Sequence, residues 1–148
     1  MGTASTDGPD RVIRTLARLA RVLERACVDL TLPQYRVLAL VATGSERATH
    51  LAGELALTKP TVSAMVESLV ERGLVERASV SGDRRAVRLT VTPAGRRALR
   101  AAEDAMRTRL ETVITHVPDR ALVEAALAQL ADALDAARAA RAKATEPV

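Results

Sequence analysis

The change of pattern at Gly73 constrains this chain more than any other feature. Before it, Val62, Met65, Val66, Leu69 and Val70 recur at helical spacing and form one apolar stripe. Thr58 is placed to cap that helix, and Pro60 is tolerated in a first turn whose amides have no intrahelical partner. Gly73 supplies the left-handed residue at which helices commonly stop. After it come two runs of strand formers, Leu74 to Val80 and Ala86 to Thr92, joined by a tight polar turn, Ser81-Gly82-Asp83-Arg84-Arg85. Thr92-Pro93 opens a further helix. The chain must therefore build a helix, a hairpin with arginines at its tip, and another helix in immediate succession.

The flanking segments extend this plan. Residues 1–8 are small and polar and are expected to be flexible. A helix from near Pro9 to about Asp29 carries Val12, Leu16, Leu19, Ala20, Leu23 and Cys27 along one stripe. After the break at Leu30-Thr31-Leu32-Pro33, a second helix brings Tyr35, Val37, Leu38, Leu40 and Val41 to Thr43-Gly44. Polar Ser45-Glu46-Arg47 precedes a short helix from Ala48 to Leu55, and Leu57-Thr58 turns into the helix before Gly73. Two short helices joined this way make a helix-turn-helix. Beyond Pro93, helices are expected from Ala94 to about His116 and, after Val117-Pro118-Asp119, to about Ala140. The fold class is mainly α with a small β-hairpin wing: a winged helix-turn-helix over 32–93, helical arms over 9–31 and 94–142, and a flexible end over 143–148.

Each arm shows an apolar stripe. Covering it with a second copy of the chain is more economical than folding it back on a small domain, since apolar area removed from water contributes roughly 25 cal/mol per Å². Both arrangements are open to the sequence; dimerisation is the expectation.

Tyr35 is the one aromatic residue in 148, so the core is built from Leu, Val, Ala and Met, and stacking on single-stranded bases is not expected. The formal charge of +4 is unevenly placed. Arg72, Arg77, Arg84, Arg85, Arg88, Arg96, Arg97 and Arg100 face only Glu76 and Asp83 over the same stretch, an excess that suits a polyanion. One cysteine, Cys27, excludes an intrachain disulfide and fits a reducing compartment, and the chain has neither a membrane-spanning run nor a signal-peptide profile. A cytoplasmic protein is expected. His50 and His116 are too scattered to suggest a metal site with Cys27. No nucleophile constellation or phosphate-cradling glycine loop suggests an enzyme, and no cofactor is expected.

The run Asp83-Arg84-Arg85-Ala86-Val87-Arg88-Leu89-Thr90-Val91-Thr92-Pro93-Ala94-Gly95 resembles the wing of the MarR family of bacterial transcription regulators, an Asp-x-Arg, a strand and a Leu-Thr-x-x-Gly close, with Val91 standing for Leu. Leu32-Pro33-Gln34-Tyr35-Arg36-Val37-Leu38 looks like that family's second helix. Leu51-Ala52, Leu57 to Ser63 and Leu69 to Arg77 match its helix-turn-helix and first wing strand. The resemblance implies a homodimer joined by its terminal helices. Two recognition helices would then sit in successive major grooves of a pseudo-palindromic site in double-stranded DNA, with wings in the flanking minor grooves. It also implies a repressor released by a small aromatic or phenolic effector or by cysteine oxidation. A helical protein-interaction adaptor whose winged helix has lost DNA binding is the alternative, kept open by Ala64, Ser68, Glu67 and Glu71.

The candidate DNA-contacting residues are Lys59, Pro60, Thr61, Ser63, Ala64 and Ser68 on the recognition helix and Arg77, Asp83, Arg84 and Arg85 on the wing. Lys59 suits phosphate, and first-turn hydroxyls and amides suit phosphate or base edges. Ala64 and Ser68 stand where relatives often carry Arg, so direct guanine readout is reduced and DNA shape and the wing carry more. Arg85 is placed to enter a minor groove. Asp83 either orients a wing arginine or pairs with Arg77, and Arg84 is either a DNA contact or a solubilising charge. Thr58 reads as a cap, and Cys27 as a buried structural thiol rather than a sensor. His50 is expected to face solvent near DNA. Ala56 replaces the Gly common in the family's turn, which suggests a turn built differently, since a non-Gly left-handed residue costs roughly 1 kcal/mol. Any ligand pocket would lie between the first two helices and the helix after Pro93, with aliphatic walls around Tyr35.

Overall fold

The computed structural model describes residues 7–44, 48–80 and 83–145. Their order is α1 (Asp7–Ala26), α2 (Leu32–Ala42), α3 (Ala48–Leu55), α4 (Lys59–Glu71), β1 (Val75–Val80), β2 (Asp83–Val91), α5 (Pro93–Ile114) and α6 (Arg120–Thr145). The expectations for residues 1–6, 45–47, 81–82 and 146–148 lie outside the described residues. The chain divides between Leu110 and Glu111 into two compact units.

The core of the first unit is aliphatic. Val37, Leu38 and Val41 of α2, Leu51 and Leu55 of α3, and Val62, Val66 and Leu69 of α4 are buried together with Val75, Leu89 and Val91 of the strands and Ala102 of α5. Tyr35 packs half-buried at its edge. The apolar stripes read from spacing are therefore the buried faces of α2, α3 and α4.

Local chemistry explains the element ends. Thr31 caps α2: its Oγ1 accepts the Gln34 N–H (3.3 Å), and Gln34 Oε1 accepts the Thr31 N–H (3.1 Å), a reciprocal capping box. At the end of α4, Gly73 adopts φ 66°, its N–H donates to the Val70 carbonyl (2.9 Å), and the Leu74 N–H donates to the Leu69 carbonyl (2.9 Å). The end of α3 repeats this pair of bonds, Ala56 to Gly53 (3.3 Å) and Leu57 to Ala52 (3.1 Å), around Ala56 at φ 52°. The turn is thus built in the ordinary way, with the strain accepted rather than avoided.

Several boundaries differ from expectation. α1 begins at Asp7, within the stretch read as flexible, and stops at Ala26 rather than Asp29. Leu30 turns into the core, 3% exposed, and the Asp29 carbonyl accepts a hydrogen bond from Arg72 Nη2 at 2.6 Å, so the chain leaves the helix early. α6 continues past Ala140 to Thr145 because Ala139 to Ala144 are nearly all strong helix formers. α5 ends at Ile114, followed by tightened bonds from His116 to Val113 and Val117 to Ile114.

β2 begins at Asp83, not Ala86. The two strands are antiparallel, pairing Val75 with Val91, Arg77 with Leu89 and Ser79 with Val87. At Val80 the partner steps to Asp83, so Arg84, Arg85 and Ala86 fall within a bulge instead of a turn.

In the second unit, Arg120 joins Glu111 through two bonds (2.8 and 2.9 Å) and Glu124 through a third (2.6 Å), which holds its guanidinium charged beyond the usual arginine range. Asp119 Oδ1 accepts the Leu122 N–H (3.0 Å) and caps α6. Leu122, Leu127, Leu130 and Leu134 of α6 are exposed. So are Val12, Ile13 and Leu16 of α1 in the first unit, the first of them at 59%.

Candidate nucleic-acid interface

α4 buries Val62, Val66 and Leu69, and helical geometry turns Pro60, Ala64, Glu67 and Glu71 to the opposite side, where all four are exposed. Lys59 and Ser63 are exposed beside this line. Thr61 is exposed too, but its hydroxyl lies 2.7 Å from Thr58 Oγ1, which also accepts the Thr61 N–H at 3.3 Å. Thr58 is the N-cap of α4, and Thr61 shares in that cap. Lys59, Thr61 and Ser63 lie at the positive end of the helix dipole, an end suited to phosphate.

Ser68 occupies the other flank and is half-buried. Its Oγ accepts a hydrogen bond from Gln34 Nε2 of α2 at 3.3 Å. Glu67, on the strand side, lies with Oε1 3.8 Å from Arg77 Nη2 of β1. Arg77 is therefore paired across to α4, and the Asp83 side chain proposed as its other partner lies outside the described residues. The same holds for the side chains of Arg84 and Arg85, whose backbone belongs to the bulged start of β2. Arg88, Arg96, Arg97 and Arg100 are exposed.

Thr92 fixes where the strands leave the core. Its hydroxyl donates to the Gly73 carbonyl (2.7 Å), its N–H to the Leu74 carbonyl (3.1 Å), and its Oγ1 accepts the Gly95 N–H (3.0 Å). The Thr-x-x-Gly close of the wing is thus a helix cap bonded to the turn that ends α4.

Two connections were not read from the sequence. Gln34 carries a local signal, the Thr-x-x-Gln capping box, but its bond to a residue 34 positions away has none. Arg72 was counted as basic surface; it is bonded to the backbone between α1 and α2.

Cys27 lies just beyond α1, half-buried against the core, and burial with Glu24 nearby raises its thiol above the ordinary value. Tyr35 is also raised, first by burial, then by the charge of Glu103, by Cys27 and by a hydrogen bond to Glu103. Among the described residues, no His, Cys, Asp and Glu group forms a metal cluster, and no helix is long and apolar enough to cross a membrane.

The MarR family model matches residues 28–86, which takes in α2 through the start of β2. A structure of the transcriptional repressor CouR bound to a 23-mer DNA duplex is 28% identical, with a TM-score of 0.71 over 89% of this chain and 98% of that one. Over residues 28–86 the chain is MarR-like. The chain is a DNA-binding transcriptional regulator, not an enzyme. Two further structures share its fold. A MarR-family regulator from Rhodococcus sp. RHA1 is 23% identical over 93% of this chain and 96% of that one, TM-score 0.72. The Mycobacterium tuberculosis protein Rv2887, in complex with p-aminosalicylic acid, is 21% identical over 86% and 98%, TM-score 0.68. No curated protein sequence matches the chain.

Proposed function

We propose that this regulator is a homodimeric, cytoplasmic repressor that binds a pseudo-palindromic operator in double-stranded DNA and is released by a small-molecule effector. The observation that carries the reading is the exposed side of α4, continuous in sequence with a bulged, arginine-bearing hairpin. The likeness to a DNA-bound repressor supports it. Lys59, Pro60, Thr61, Ser63, Ala64 and Ser68 are the residues of α4 that would meet the major groove. Arg77, Asp83, Arg84 and Arg85 belong to the wing, with Arg85 entering the minor groove.

The apolar residues exposed on α1 and α6 support dimerisation through 9–31 and 94–142, since exposed apolar stripes of this kind mark association surfaces. Two copies related by a two-fold axis would place their α4 helices about one helical turn of DNA apart. The effector reading rests on relatives such as Rv2887, which is seen with p-aminosalicylic acid.

The test is a fluorescence-anisotropy titration of the full chain on DNA from upstream of its own gene, with scrambled duplex as control and mass measured by light scattering. Salt-sensitive preference for the upstream duplex by a dimer is expected. Equal, weak binding to both duplexes would refute the operator reading, and a monomer would refute the two-fold arrangement. Arg85→Ala should weaken binding while leaving the dimer folded; unchanged affinity would remove Arg85 from the interface.

A further inference from the structure

We infer that Gln34 is a positioning residue for DNA binding: it holds Ser68 so that the serine hydroxyl is left to donate outward from α4. The inference rests on the reading of α4 as the DNA-facing helix.

The polarity of the Gln34–Ser68 bond is fixed by the rest of the glutamine. Oε1 accepts the Thr31 N–H in the capping box of α2, so the other end of the amide, facing Ser68 Oγ at 3.3 Å, is the Nε2 donor group. An amide NH₂ has no acceptor to offer, so Ser68 must accept. A hydroxyl has one hydrogen and two lone pairs. With a lone pair committed to Gln34, the hydrogen remains for an acceptor elsewhere, and DNA phosphate oxygens are acceptors only. Gln34 therefore turns a group that could point either way into a donor.

The placement adds to this. Ser68 lies three residues from the end of α4, where the helix dipole and the neighbouring Glu67 and Glu71 all disfavour an anion. A phosphate passing this flank needs a neutral donor whose direction is already set. The bond crosses from the capped first turn of α2, itself packed on the core through Val37 and Leu38, so the hydroxyl is held from outside its own helix. Ordering it in advance lowers the entropy cost of the contact.

Gln34→Glu tests the idea, because a carboxylate still accepts the Thr31 N–H and completes the same capping box. Towards Ser68, however, it presents an acceptor, so the serine donates inward and loses its outward hydrogen. The variant also adds a negative charge, and the double variant separates that effect. Wild type, Gln34→Glu, Ser68→Ala and the double variant are titrated on the upstream duplex, with thermal melts alongside. We expect Ser68→Ala to weaken binding about fivefold to tenfold. Gln34→Glu should cost about fivefold more affinity when Ser68 is present than when it is alanine, with melting temperatures close to wild type. An equal cost in both backgrounds, or full affinity in Ser68→Ala, would overturn the positioning role while leaving the regulator reading intact. Failure of the wild type to prefer the upstream duplex over scrambled DNA would overturn the reading itself, and this inference with it.

Discussion

Replacing Gly95 by alanine should loosen the junction from which the wing leaves the core. A Cβ at this position would overlap the backbone carbonyl oxygen of Leu74 and approach Val91 Cγ1 to 2.8 Å. The carbonyl is not free to move, because it accepts the Thr92 N–H at 3.1 Å while Thr92 Oγ1 receives the Gly95 N–H at 3.0 Å. Overpacking against a fixed group costs about 2 kcal/mol. Relief by moving α5 away strains or breaks those two bonds, at about 1 kcal/mol each. The sum is about 3–4 kcal/mol, a large share of the stability of a small domain. The assay is denaturant unfolding followed by circular dichroism, with a fall in melting temperature of roughly 10 °C expected in the matching thermal scan. A loss below about 1 kcal/mol would refute the reasoning, since it would mean that the Leu74 carbonyl yields without cost.

Three further outcomes are expected. Ala56→Gly should stabilise the chain by about 0.5–1 kcal/mol in the same unfolding assay, the relief of a left-handed alanine exceeding the added freedom of the unfolded glycine; a loss of stability would contradict the strain at φ 52°. Arg77→Ala should weaken DNA binding about fivefold, and Glu67→Gln should restore most of it in that background while changing wild type little, because the pair at 3.8 Å offsets a carboxylate on the reading helix. Strictly additive effects would show Arg77 acting alone. Tyr35, the one tyrosine, should titrate above 10.0 by ultraviolet absorbance, and Glu103→Gln should lower the midpoint. The folded chain retains a proton that the unfolded chain releases, so this contribution to stability is complete below pH 10.0 and is lost as pH rises through the folded value.

What the sequence made legible was local. Thr58 and Gly73 act within three to five residues of themselves, as does Thr92 in capping α5, and the helix and strand ends they set agree closely with the reading from spacing. The bonds from Thr92 to the Gly73 and Leu74 carbonyls, 19 and 18 positions away, carry no such local signal. The start of β2 was misread because Asp83, Arg84 and Arg85 have turn chemistry, whereas their strand character comes from a register shift against Val80. The early end of α1 is accompanied by the burial of Leu30 and by a bond to Asp29 from Arg72, 43 positions away, and no pattern within either segment signals that bond. The site divides the same way. Which residues of α4 are exposed follows from a 3.6-residue period. That Ser68 and Glu67 already have partners, on α2 and β1, depends on tertiary packing alone.

The bond from Arg72 to the Asp29 carbonyl joins the connector after α1 to the C-terminal end of α4. Arg72 is the C-cap of α4, and Asp29 sits in the short connector that joins α1 to α2. A displacement of that connector must either break a 2.6 Å charge-assisted hydrogen bond or drag the tail of α4 with it. The connector after α1 and the tail of α4 are thus tied together through a single guanidinium.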